Sequence, residues 1–201
     1  MNSSKVPILL IIHKRPRLTS LVMEKIRLYE PEKLYIVADG PRQNVVGEQL
    51  LTDEARKVAS QIDWRCELVT LFRNSNWGCG PSVKDGIDWF FSHEQSGIIL
   101  EDDCVPTEDF FRFCEVLLSK FADDNRVGMI SGLNPVAFSP NDSSDFFFST
   151  VPSTWGWATW RRAWAKMDYP MRWRSRADSQ KIIRSMAPTA RLRYFWLRAL
   201  R

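Results

Sequence analysis

Ile98-Ile99-Leu100-Glu101-Asp102-Asp103-Cys104-Val105-Pro106 is an apolar run that ends abruptly in three consecutive carboxylates. The apolar half, Gly97 to Leu100, reads as a strand covered on both faces, because it shows no alternation with polar residues. Three neighbouring negative charges at the end of such a strand repel one another wherever solvent is partly excluded. A divalent cation relieves that repulsion. Mg²⁺ or Mn²⁺ takes hard oxygen ligands, commonly one or two carboxylates, and fills its remaining shell with water and phosphate. An acidic loop facing solvent ahead of a helix is the plain alternative.

Working outward from this strand, short apolar runs alternate with amphipathic stretches. Strands are expected at Val6 to Ile12, Lys33 to Ala38, Glu67 to Phe72, Gly97 to Leu100 and Val127 to Ile130. Helices are expected at Leu18 to Leu28, Gly47 to Ile62, Ser82 to Phe91 and Thr107 to Phe121, the last with an N-cap threonine and Glu108 and Asp109 suited to its dipole. This alternation implies parallel strands joined by right-handed crossovers, an α/β sheet flanked by helices. Open sheets of this kind bind ligands beyond the carboxyl ends of their strands. His13-Lys14-Arg15-Pro16, Asp39-Gly40 and Glu101-Asp102-Asp103 should therefore share one rim.

Each of these segments also has a simpler reading. Arg15 suits a diphosphate or a base, and equally a solvated basic turn. Asp39 suits a ribose or base, and equally Asp-Gly-Pro turn chemistry. Asn74 to Ser82 is a glycine-bearing loop leading into a helix whose amide groups suit phosphate, with Lys84 one turn further on. It matches neither the Walker pattern nor G-x-G-x-x-G.

The pattern breaks after Gly132. Asn134 to Asp145 reads as a loop, Phe146 to Phe148 as a strand, and Ser179 to Arg201 as a helix interrupted at Pro188. Trp155, Trp157, Trp160 and Trp164 suit either sugar stacking or core packing, and two or three of them are expected in the core. The organisation expected is an α/β domain over residues 1–132 and an acceptor-side segment over 133–201. The final helix stops in mid-pattern, which suggests a chain truncated at its C-terminus.

Composition sets further bounds. The chain has 201 residues, 44% of them hydrophobic, enough for a real core. The longest apolar run falls far short of the ~20 residues a membrane span needs, and no signal peptide is apparent. Cys66, Cys79, Cys104 and Cys114 lack C-x-x-C spacing, so they read as reduced thiols and point to a cytoplasmic location. Residues 151–201 carry 12 Lys and Arg against two acids, Asp168 and Asp178, whereas residues 1–150 carry 16 bases and 22 acids. The basic segment suits peripheral contact with the inner membrane face, and no nucleic-acid motif accompanies it.

Taken together these residues resemble the GT-A nucleotide-diphospho-sugar transferases, and most of all the N-acetylglucosaminyltransferase I-like family and its bacterial relatives. The resemblance rests on Ile11 to Arg15, Val37-Ala38-Asp39-Gly40, the glycine loop into Lys84, and Leu100-Glu101-Asp102-Asp103 followed by Val105-Pro106 and Asp109-Phe110-Phe111. It covers about residues 6–132, is looser over Phe146 to Trp164, and fades beyond. It implies a Rossmann-like GT-A fold and an inverting, metal-dependent transfer from a nucleotide-sugar donor, a UDP-sugar, to a glycan or other hydroxyl acceptor. Asp103 would bind Mn²⁺ or Mg²⁺, and Asp102 would contact the ribose. Arg15, Asp39 and Lys84 would hold the nucleotide. Glu101, Trp155, Gly156 and Trp157 would lie beside the donor sugar. The family's base is a carboxylate nearer the C-terminus in a Trp-Asp context. That dipeptide does not occur here, and Asp168 and Asp178 are the only late acids, so the base is expected beyond Arg201.

Two other functions stay open at this point. A sugar nucleotidyltransferase would share the fold but carries a glycine-rich signature after strand one, where this chain has a short basic turn. A non-catalytic nucleotide- or nucleic-acid-binding module with a basic tail would use the same charge asymmetry.

Overall fold

The computed structural model describes residues 5–134, 145–150, 152–170, 183–184, 187 and 189–199. Five elements follow the expected alternation closely: β1 (Ile8–Ile12), α1 (Pro16–Tyr29), β2 (Lys33–Ala38), α2 (Glu48–Ala59) and β3 (Glu67–Phe72). They are followed by α3 (Cys79–His93), β4 (Ser96–Glu101), α4 (Glu108–Lys120), β5 (Ile130–Ser131), β6 (Trp157–Trp160), α5 (Arg161–Trp164) and α6 (Ala190–Ala199). The sheet order is β3-β2-β1-β4-β6-β5. Strands β1 to β4 are parallel, while β6 runs antiparallel to both β4 and β5. The protein is thus α/β, with a six-stranded, mostly parallel mixed sheet flanked by helices.

The apolar run of β1 is buried along its whole length because helices cover both faces. Leu9 and Ile11 point into a cluster with Tyr35, Val37, Ile99, Trp157 and the α3 residues Ile87, Phe90 and Phe91. On the opposite face α1 packs with α4, where the rings of Tyr29 and Phe111 stack at 4.5 Å. The buried stripe of α1 is Thr19, Val22, Met23 and Ile26, spaced i, i+3, i+4, i+7. Leu21 and Leu28, expected on that stripe, stand exposed because 100° per residue carries them off it.

Three expectations are corrected. The fifth strand spans two residues, Ile130–Ser131, rather than Val127 to Ile130, and pairs antiparallel with β6. Phe146 to Phe148 forms no ladder: the rings of Phe146 and Phe148 meet edge-on at 5.8 Å, but no described strand pairs with this run. The strand that completes the sheet is Trp157–Trp160, inside the tryptophan-rich stretch and unrecognised in the sequence. Register Ile99↔Trp157 and Ile98↔Ala158 fixes it against β4.

The chain divides into two compact units: Met1–Ala137 with Ser153–Ala165, and Phe138–Pro152 with Lys166–Arg201. The return to β6 carries residues 153–165 back into the first unit, past the division expected after residue 132. In the second unit, Thr189 opens the last helix, its Oγ1 accepting from the amide of Leu192 at 3.2 Å. Much of the basic segment, including residues 171–182, lies outside the described residues. Among the described residues no helix is long and apolar enough to cross a membrane, and all four cysteines are free thiols.

Gly97 shows how tightly β4 packs under α3. A Cβ there would lie 2.3 Å from Cζ of Phe90 and 2.9 Å from the Pro7 carbonyl oxygen. The ring is held in the core, so neither neighbour has room to give. Gly97→Ala is expected to destabilise the domain by about 1–3 kcal/mol, read as a lower urea midpoint with unchanged slope.

Candidate functional site

A cleft of about 420 Å³ opens at the carboxyl ends of β1, β2 and β4. Its position follows from topology: the chain leaves β1 toward β2 on one side, and β4 flanks β1 on the other, so the loops diverge. The lining includes His13, Arg15, Asp39, Gly78, Glu101 and Asp102. Most of the rim expected from the sequence thus lines the cleft, while Asp103 and Gly40 lie just outside the lining. A second cleft, of about 480 Å³, lies at the other end of the strands beside Val6, Ser96 and Trp160. Its one arginine, Arg162, already donates to the carbonyl oxygens of Ala122, Val127 and Phe121. Its polar groups hold the fold together, and the chemistry concentrates in the first cleft.

The acidic triplet is organised by Arg15. Parallel register pairs Ile11 with Glu101, so the turn after β1 lies beside the turn after β4. Arg15 occupies the N-cap position of α1, followed by Pro16 at the first helical position. Its Nη1 donates to Oδ2 of Asp103 at 2.8 Å, and its Nη2 donates to Oδ1 of Asp102. Asp102 is buried and also accepts from the His13 amide at 3.3 Å. Asp103 is about one-third exposed. Glu101 ends β4 on the face it shares with Ile11. Burial pushes its carboxyl above the usual range, reinforced by the charges of Asp103 and Asp102 and opposed by Arg15.

Asp39 points away from an open nucleoside-binding role. It is buried, and both oxygens are engaged. Oδ1 accepts from the amides of Gly40 and Trp77, each at 2.9 Å. Oδ2 accepts from Asn76 Nδ2 at 2.9 Å and the Gly78 amide at 3.1 Å. Asp39 thereby moulds the loop entering α3. Gly40 is required for the same contact, since a Cβ there would lie 2.4 Å from the Ser75 backbone. From below, Arg73 stacks its guanidinium 4.6 Å from the Trp77 ring centre.

Lys84 faces along its own helix to form an ion pair with Asp88, and it does not line the cleft. The four tryptophans divide as the sequence suggested. Trp157 and Trp160 are buried, Trp164 packs against the core, and Trp155 is 62% exposed. Gly156 lies against Leu100 and Phe110 at the end of β6. The register with β4 carries Trp155 one residue further, to the strand end where Glu101 sits. Trp155 is thus the exposed tryptophan of this group. Asp168 is half-buried and belongs to the second unit, while Asp178 lies outside the described residues.

The residue that sequence reasoning missed is Glu48. It opens α2, where an acid reads as an ordinary dipole partner, yet it is 1% exposed. It accepts from Lys14 Nζ at 2.7 Å and from Arg42 Nη2 at 2.6 Å, and His13 Nε2 lies 3.4 Å away. One carboxylate therefore ties the turn after β1 to the loop after β2.

The donor set suits one kind of cation. Among the described residues no group of three or more Asp, Glu, His or Cys side chains forms a metal cage. Asp102 and Asp103 nevertheless already converge on one positive group. Two carboxylates with room for phosphate and water match Mg²⁺ or Mn²⁺ rather than a closed structural site.

Arg42 and Lys14 hold the Glu48 carboxyl well below the usual carboxylate range. A depressed folded value means the stabilisation is complete above about pH 4.3, the unfolded value, and is lost as pH falls below it. Glu48→Gln is expected to lower Tm at pH 7. The gap to the unsubstituted protein should narrow steadily as melting curves are recorded down to about pH 3. A constant gap would show that Glu48 acts through packing alone.

No protein-family model matches the chain, and no curated protein matches its sequence.

Proposed function

We propose that the chain is a metal-dependent GT-A glycosyltransferase, which moves a sugar from a nucleoside-diphosphate sugar, a UDP-sugar, to a hydroxyl acceptor with inversion. The observation that supports this best is the joint hold of Arg15 on Asp102 and Asp103 at the rim of the cleft. On this reading, Arg15 is a cation suited to a diphosphate, and the two carboxylates are hard oxygen donors within its reach.

In this reading Asp103 holds Mn²⁺ or Mg²⁺ and Asp102 contacts the ribose. A metal held there would supply charge neutralisation for the diphosphate leaving group. Arg15 binds diphosphate oxygens through its planar fork. Glu101 contacts a donor-sugar hydroxyl, and Trp155 stacks on the sugar ring. Asp39 serves the nucleoside indirectly, by shaping the loop whose Asn76 and Gly78 line the cleft. The carboxylate that deprotonates the acceptor comes from outside this cleft.

A thermal-shift panel checks the class. UDP with Mn²⁺ should stabilise the protein by about 2.7 kcal/mol at a ligand concentration of 100 Kd. UDP alone should do much less, and Asp103→Ala should abolish the metal-dependent part. Equal stabilisation with and without metal contradicts the proposal. Trp155→Ala separates sugar from nucleotide: a UDP-sugar should bind roughly five- to tenfold more weakly while UDP affinity holds, by titration calorimetry.

A further inference from the structure

Arg15 sits where a divalent cation held by Asp103 would approach. Its two terminal nitrogens take one oxygen from Asp102 and one from Asp103. A guanidinium and a divalent ion cannot share those lone pairs, and their like charges repel at close range. Arg15 is therefore a built-in competitor for the cation position.

Its surroundings allow exchange. The backbone of Arg15 is anchored, with its carbonyl accepting from the Thr19 amide at 2.9 Å and from Thr19 Oγ1 at 3.0 Å, and with Pro16 fixing the next φ. The side chain is 45% exposed, so solutes reach the guanidinium from solvent. Displaced by a cation alone, it would leave its two carboxylate partners with nothing in return. A diphosphate offers a replacement, since guanidinium binds phosphate oxygens in the same two-pronged geometry.

We propose that Arg15 is an exchangeable counter-ion. It competes with a divalent cation for Asp103, covers Asp102 beside it, and is drawn off by the diphosphate, so cation and nucleotide bind cooperatively and neither binds well alone. This rests on the nucleotide-sugar reading above, and it adds a binding order that the reading alone does not require.

The test is direct Mn²⁺ binding, followed by electron paramagnetic resonance of free Mn²⁺, with and without UDP. In the unsubstituted protein UDP should tighten Mn²⁺ binding by about tenfold or more, a coupling of ordinary size for linked sites. In Arg15→Ala, Mn²⁺ alone should bind about tenfold more tightly, and the tightening by UDP should shrink to the part that direct contact between metal and diphosphate supplies, after correction for Mn²⁺–UDP complex formed without protein. Arg15→Gln keeps more of the side-chain volume and should give the same result if the alanine variant folds poorly. If Mn²⁺ and UDP bind together but Mn²⁺ alone binds both variants no better than the unsubstituted protein, counter-ion exchange is overturned and the nucleotide reading stands. If no form of the protein binds Mn²⁺ with UDP, the nucleotide reading falls and the exchange falls with it.

Discussion

A carboxylate as thoroughly buried as Asp102, next in sequence to two more acids, persists only if a positive group or a donor reaches it. Arg15 and the His13 amide supply both. That contact joins the turn after β1 to the turn after β4, the two strands between which the loops diverge. The binding rim exists because this charge is satisfied from across the sheet rather than by solvent. The same arrangement places cation, anion and cavity within a few ångströms of one another.

Two further carboxylates repeat the principle. Glu48 gathers Lys14 and Arg42 and lies beside His13. Asp39 gathers three backbone amides and one side-chain amide. Each converts an irregular loop into a fixed wall by filling its oxygens with donors from another segment. Such walls are pre-organised, so binding does not have to order them. The side chains with freedom at the rim, Arg15 and Trp155, are the ones a ligand would engage.

Much of the fold was legible because β1 to β4 are buried on both faces and the intervening helices have ordinary lengths. The position of the cleft followed from the same alternation. Strand β6 was not legible: Trp-Ala-Thr-Trp lies in a stretch whose aromatic density suggested a binding loop, and its partner β4 is some sixty residues away in sequence. The short β5 depends on β6 and was misplaced with it. At the site, the acids were visible as residue types while their directions were not. Asp39 looks identical in sequence whether it faces a ribose or the amides of Trp77 and Gly78. Lys84 lost its expected role to Asp88, one helical turn along, and Glu48 revealed nothing until Lys14 and Arg42 were seen to converge on it.

The central claim is that Asp103 is a cation ligand beside a diphosphate site, with Asp102 next to it on the nucleotide. A crystal structure with Mn²⁺ and UDP, with data collected for manganese anomalous scattering, tests it directly. The account requires an anomalous peak within coordination distance of Asp103, with Arg15 turned from the carboxylates onto phosphate oxygens. A map with nucleotide elsewhere, or with Arg15 still bridging both aspartates and no anomalous signal between them, would contradict it.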